Sequence, residues 1–287
     1  MFEFPEFLSF PLGDWINIVV SWLTLNLEPF FDAITIGIRW PLVQIEHFLW
    51  WIPWWALIII LIGIAWRLAG WRVALFTLIG LLFIGAMGLW DDTMTTLSII
   101  VTAVAVSVLV GIPLGIIAAK NDRFETIIRP VLDAMQTMPS FVYLIPAVFF
   151  FGLGKVPAVV ATFIYAVPPC IRLTNLGIRQ VAAEAVEAGK AFGSTEWQLL
   201  FKIQLPLARP TIMTGVNQTI MMALAMVVIA SMIGASGLGL EVLRGIQRLD
   251  VGQGFLAGIS IVIVAIIIDR VTQTLGKARE TSQLWRG

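Results

Sequence analysis

Gly189-Lys190 and Gly276-Lys277 invite comparison with a phosphate cradle, and neither completes one. A Walker loop needs Gly, four residues, then Gly-Lys and Ser or Thr, because its backbone amides and lysine hold the phosphates. Both pairs are followed by Ala and lack the upstream Gly. Any ATP energy must therefore come from another subunit. His47 is the single histidine, which excludes two-histidine metal motifs. With Trp50, Trp51, Trp54 and Trp55 around it, a membrane-interface position explains it better than catalysis. Cys170 is also alone, so neither an intrachain disulfide nor a cysteine-rich metal site can form. The sequence predicts no catalytic residue, no metal, and no cofactor bound by this chain.

One polar stretch has informative spacing. Glu187-Ala188-Gly189 is followed by three residues, then Gly193, then nine residues, then Ile203-Gln204-Leu205-Pro206. Val181 to Phe192 is rich in Ala and Glu, which favour helix. Gly193-Ser194 interrupts that run, and Ser194 or Thr195 can cap a second short helix with Glu196 in its first turn. Trp197, Leu200, Phe201 and Ile203 then form an apolar ridge, and Pro206 is expected to stop the helix. Exposed apolar side chains on a short helix imply a partner that covers them. Burial against this chain's own loops is the alternative.

The elements that carry this stretch belong in a membrane. Hydrophobic residues make up 59% of the chain and charged ones 13%, with mean hydropathy +0.93, too apolar for an ordinary soluble domain. A formal net charge of zero, with no basic cluster among aromatics, argues against nucleic acid. Seven apolar segments are expected to span: 49–66, 73–90, 96–119, 140–153, 156–171, 211–233 and 254–271. The fourth and fifth hold Pro146, Pro157, Pro168 and Pro169, which bend helices unless neighbours compensate.

Lysine and arginine concentrate in cytoplasmic loops. With the C-terminus inside and the N-terminus outside, fourteen of the 18 basic residues fall inside; Arg39, Lys155, Arg244 and Arg248 remain outside. That bias puts 187–206 in the cytoplasm. The first 48 residues read as an external interfacial arm. Asp14, Asn17, Ser21, Thr24, Glu28, Asp32, Thr35 and Arg39 form one polar stripe at steps of three or four, the period of an amphipathic surface helix. Pro29 is expected to kink or divide it and Pro41 to end it. Ten of the 12 tryptophans lie in the first 90 residues and read as interfacial anchors. No positive leader precedes the arm, so no cleavable signal peptide is read there.

The spacing of 187–206 resembles the cytoplasmic coupling loop of ABC importer permeases, Glu-Ala-Ala, three residues, Gly, nine residues, Ile-x-Leu-Pro. Gly189 is the one departure. Three further stretches, Leu132 to Pro146, Pro168 to Thr174 and Val227 to Gly239, are similar to the permease subunits of glycine betaine/proline betaine osmoprotectant importers, within a similarity running from about 91 to 275. This resemblance implies an all-α polytopic protein: two peripheral spans at 49–90, a five-helix type I permease core at 91–275 with the coupling loop at 181–206, and a cytoplasmic tail at 276–287. It implies a homodimer in a bacterial cytoplasmic membrane, two ATPase subunits carrying ATP and Mg, an external solute-binding protein and surrounding lipid. Coupling would rest on Glu187, Ala188, Gly189, Gly193, Trp197, Phe201, Ile203, Leu205 and Pro206, and transport would proceed by alternating access.

A substrate path is less legible. The spans carry almost no ionisable residues, and Asp269-Arg270 falls at the cytoplasmic end of the last. Asn217, Gln218 and Tyr143 are path candidates, although helix packing is the commoner use of such residues. No complete aromatic cage for a quaternary amine is apparent. Gly234 to Gly239 suits a tight turn or outer gate. Three other readings stay open: the same importer class with another solute (amino acid, choline or carnitine), an ATP-independent channel or secondary carrier, and a membrane-embedded enzyme. The single histidine and the lack of clustered intramembrane acids weigh against the last.

Overall fold

The structure is a computed structural model and describes residues 11–277, so most of the 276–287 tail, with Arg279 and Arg286, lies outside the described residues. The chain runs through α1 (Leu12–Asn26), α2 (Glu28–Trp51), α3 (Trp54–Ala69), α4 (Trp71–Ala86), α5 (Trp90–Lys120), α6 (Asp122–Thr137), α7 (Leu144–Phe151), α8 (Lys155–Arg179), α9 (Ala183–Ala191), α10 (Glu196–Leu199), α11 (Leu205–Ala230), α12 (Leu238–Arg248) and α13 (Val251–Lys277). No strand occurs among the described residues. A helix satisfies its own backbone groups, which lipid cannot do.

Four helices are long and apolar enough to cross a membrane: Trp90–Lys120, Lys155–Arg179, Glu196–Ile233 and Val251–Thr274. Two bent pairs raise the number to six: α2 with α3, at 103°, and α6 with the Ser140–Phe151 segment, at 110°. α4 is a shorter apolar helix of 16 residues. The expected span at 140–153 therefore needs correction. Its α7 has eight residues, about 12 Å at 1.5 Å per residue, and the polar 122–137 segment before it is helical. Asn121 caps it, its side chain accepting from the amides of Arg123 and Phe124 at 3.1 Å.

Proline was the other source of misreading. Pro29 does divide the arm, sitting in the first turn of α2 after the break at Leu27. Pro41, however, lies inside α2, which continues to Trp51. Ile38, Leu42 and Glu46, spaced by four, are buried against the body of the protein, and this packing offsets the missing backbone donor. Pro168 and Pro169 are likewise buried within α8, whose helix continues past 171 to Arg179.

The centre is built from α5, α8 and α11. Small residues let their backbones approach closely. A Cβ on Gly115 of α5 would meet Thr174 and the Ile171 carbonyl of α8, and one on Gly215 of α11 would meet Leu173 and the Pro169 carbonyl. α13 packs along α11 and α12, the α3–α4 hairpin packs on α13, and α2 lies against α5 and α7.

The two ends are distinguishable by contact. At one, Arg179 donates to the Ala118 carbonyl at 2.8 Å and to Asp122 at 2.6 Å; α9 and α10 project there. At the far end, the Gly154 amide donates to the Ile233 carbonyl at 2.9 Å, and the Leu238 amide to Thr96 Oγ1 at 2.8 Å.

Candidate functional site

α9 ends because Gly193 adopts φ +77°, a left-handed conformation cheap only for glycine. The Gly193 amide donates to the Lys190 carbonyl at 2.9 Å and the Ser194 amide to the Gly189 carbonyl at 3.1 Å. This is the two-bond C-terminal cap that satisfies the last carbonyls of a helix. Thr195 then starts α10. Its side chain accepts from the Gln198 amide at 3.3 Å, and the Gln198 side chain accepts from the Thr195 amide at 2.9 Å, a reciprocal capping box.

α10 is not stopped by Pro206. A π-helical turn at Leu200–Gln204 connects it to α11, with the Leu205 amide donating to the Leu200 carbonyl, and one helix of 38 residues runs from Glu196 to Ile233. Pro206 falls in the first turn of α11, directly after the wide π turn, where the regular ladder is already interrupted and its missing donor costs least. Pro210 is inside the same helix. The loop is thus continuous with one of the central helices.

The two limbs of the loop pack through Gly189, which is buried. A Cβ there would meet Ile203 Cδ1, and Leu199 Cδ2 at 2.7 Å. Both neighbours are flexible side-chain ends that can shift, so the contact favours glycine here without excluding the alanine of the usual pattern. Leu200 is 2% exposed, so it belongs to the interior and not to the apolar ridge. The exposed ridge is Phe192 (92%), Trp197 (71%) and Phe201 (57%). The Trp197 and Phe201 rings stack at 5.7 Å, 11° from parallel. An open cleft of about 980 Å³ separates this ridge from the end of α5, bordered by Pro113, Ile117 and Lys120. Glu187, Ala188, Gly193 and Pro206 are exposed, and Ile203 and Leu205 are half-buried.

The path candidates are not brought together. Tyr143 is 5% exposed, donates to the Met135 carbonyl at 2.5 Å, and sits 6.2 Å from the Tyr165 ring. Asn217 joins α11 to α13: its Nδ2 donates to Asp269 at 3.2 Å and its Oδ1 accepts from Thr272 at 2.7 Å. Gln218 is exposed on another face of α11.

Among the ion pairs that sequence reasoning missed, two join distant helices within the body of the protein. Lys155 Nζ lies 2.5 Å from Glu46 Oε1, with Thr95 donating to the same oxygen at 3.1 Å. Arg172 Nη2 lies 2.5 Å from Asp133 Oδ1. The expected span ended at 171, whereas α8 continues to Arg179 and so includes Arg172. No cluster of side chains suited to a metal ion occurs among the described residues.

Residues 111–279 match the family described as binding-protein-dependent transport system inner membrane component. The chain is 51% identical over 265 residues to the glycine betaine transport system permease protein OpuAB of Bacillus subtilis, covering 92% of this chain and 94% of the relative. It is 49% identical over 267 residues to the glycine betaine/proline betaine transport system permease protein ProW of Escherichia coli, covering 93% and 75%. With the glycine betaine/carnitine transport permease protein GbuB of Listeria monocytogenes it shares 50% over 277 residues, covering 95% and 98%. Among solved structures, an inward-facing conformation of the MetNI methionine ABC transporter aligns with TM-score 0.60 at 18% identity, covering 64% of this chain and 92% of that one. This last likeness speaks for the fold.

Proposed function

The chain belongs to the family of binding-protein-dependent transport system inner membrane components, and on that basis we propose that it carries glycine betaine or a related quaternary-amine osmoprotectant across a bacterial cytoplasmic membrane. It is a multi-pass transporter subunit and not an enzyme, as its relatives are permease components. Three relatives near 50% identity over nearly the whole chain carry glycine betaine in their names, which supports the cargo.

Two copies of the chain pair with two ATPase subunits, which hold ATP and Mg, and receive cargo from an external binding protein. The observation that carries the coupling role is the stacked Trp197–Phe201 ridge, exposed on a helix that continues unbroken into α11. Apolar rings at this exposure call for a partner, and movement of that partner reaches the membrane without an intervening hinge loop. Glu187, Gly193 and Pro206 frame the same surface. ATP closes the ATPases, the loops move with them, and the dimer opens outward; hydrolysis returns it. Each step requires unequal ligand affinity for the two states. The coupling end is cytoplasmic in this reading, consistent with Arg67, Arg72, Lys120, Arg179 and Lys190 gathering there. The N-terminus lies outside and the C-terminus inside.

Reconstitution with the ATPase and binding protein in proteoliposomes tests the proposal. ATP-dependent accumulation of glycine betaine is expected. Uptake that follows an imposed ion gradient, with no ATP requirement, would contradict the coupling role; accumulation of a different solute alone would contradict the cargo.

A further inference from the structure

Arg172 of α8 and Asp133 of α6 meet inside the membrane-spanning region. Their depth follows from packing: a Cβ on Gly111 of α5 would meet Cys170, and one on Gly115 would meet Thr174. Arg172 is therefore level with residues 111–115, and α5 continues to Lys120. Five to nine residues, about 8 to 13 Å of helix, separate that level from the end of α5. The 31 residues of α5 outrun the roughly 20 that cross a bilayer core, so the pair lies toward the near boundary of the core. A charge at such depth is costly against lipid and characteristically faces a bundle interior or a watery cavity. Neither side chain is enclosed, however: Arg172 is 37% and Asp133 57% exposed. The Arg172 Nε atom is itself buried and makes no hydrogen bond. Arg172 also borders a cleft of about 280 Å³ between α6 and α8, lined by Glu125, Arg129 and Asn175 together with Ile128, Leu132 and Leu176.

We propose that Asp133 and Arg172 form a charge-paired step in the wall of the transport path, one that takes a small zwitterion bearing a carboxylate and a quaternary ammonium group. This rests on the betaine reading above. The cargo carboxylate accepts from the terminal nitrogens of the planar Arg172 guanidinium, which can offer two N–H groups side by side. The trimethylammonium group has no N–H to donate and faces Asp133 by charge alone. As the cargo leaves, the protein's own pair re-forms, so neither charge is left unpaired at depth. The step is neutral overall and fits a neutral zwitterion; a bare cation or anion meets one repelling member.

A simple clasp holding α6 on α8 would use the same ion pair, and two variants separate the roles. Arg172→Lys keeps a cation beside Asp133 but removes the fork. In the complete complex in proteoliposomes, Arg172→Gln is expected to lower ATP-driven glycine betaine uptake at least about tenfold without loss of assembled complex. Arg172→Lys is expected to lower it several-fold, with the apparent KM for cargo delivered by the binding protein rising. Gln136→Cys, exposed on α6 three residues beyond Asp133, should react with a charged, membrane-impermeant thiol reagent; the wild type, whose Cys170 is buried, is the blank. Wild-type uptake in Arg172→Gln overturns the proposal. So does wild-type behaviour of Arg172→Lys beside a defective Arg172→Gln, which marks a clasp. An unreactive Gln136→Cys overturns it too. Failure of the betaine reading looks different: the wild type itself accumulates no glycine betaine, and the labelling still decides whether this wall meets water.

Discussion

Glu46 and Glu196 each stand near lysine, at opposite ends of the helical core, and their settings differ sharply. The Glu46 side chain is 7% exposed and lies 2.5 Å from Lys155, with Thr95 donating as well. Glu196 is 73% exposed, and Lys120 and Lys190 stand 3.8 and 3.9 Å away. The far end is thus tied together by its own residues. Glu46 links the arm helix α2 to the start of α8, while the Gly154 amide links that same turn to Ile233 before α12. The coupling end has no comparable internal tie on α10, and its exposed pairs contribute little to stability. It presents aromatic surface instead. One end is tied by a buried ion pair of its own, whereas α10 at the other carries only exposed pairs beside stacked aromatic rings.

The largest effect should come from breaking the buried tie. Lys155→Met leaves Glu46 buried without its cation, and should destabilise the permease by about 3–5 kcal/mol, read as a lowered thermal midpoint in detergent. Replacing both, with Glu46→Leu added, should recover most of that loss, since a buried pair is often dispensable when both charges go. Next, Trp197→Ala should weaken capture of the ATPase at least about tenfold, as loss of an aromatic anchor does, while the isolated permease keeps its thermal midpoint. Equal loss of stability would mean the ridge is structural, and the contrast between the ends would vanish.

Smaller effects sharpen the contrast. Gly193→Ala places a side chain at φ +77° and should cost about 1–2 kcal/mol locally, visible as reduced ATP-driven uptake with membrane insertion intact. Gly189→Ala should do least. The atoms in its way are the free ends of Ile203 and Leu199, so uptake should stay within about twofold of wild type, in line with a minor packing change. A severe loss would show that the two limbs of the loop cannot shift even slightly.

The turn and caps of residues 181–206 were legible because their information is local. Gly193, Thr195 and the Trp197–Phe201 spacing act within a few residues, and the structure keeps each in the expected turn or helix. The proline readings failed for a non-local reason. Pro41 sits in a helix whose buried face grips α5 and α7, and Pro206 follows a π turn; neither circumstance is visible in hydropathy. Leu200 was misassigned because the apolar pattern alone does not say which side of a short helix meets the core. Arg172 was read as a loop residue because the apolar run stops at 171, yet backbone hydrogen bonding carries α8 on to Arg179. Its partner Asp133 lies 39 residues earlier, on a helix that bends 110° before α7, and Glu46 and Lys155 are 109 apart. Pairs so distant are made by the fold.

The most direct test places a photo-reactive amino acid at Trp197 in the assembled transporter. The account predicts a crosslink to the ATPase subunit, formed from the cytoplasmic side. A crosslink only to the permease itself, or labelling of that position by reagents confined to the exterior, would contradict it.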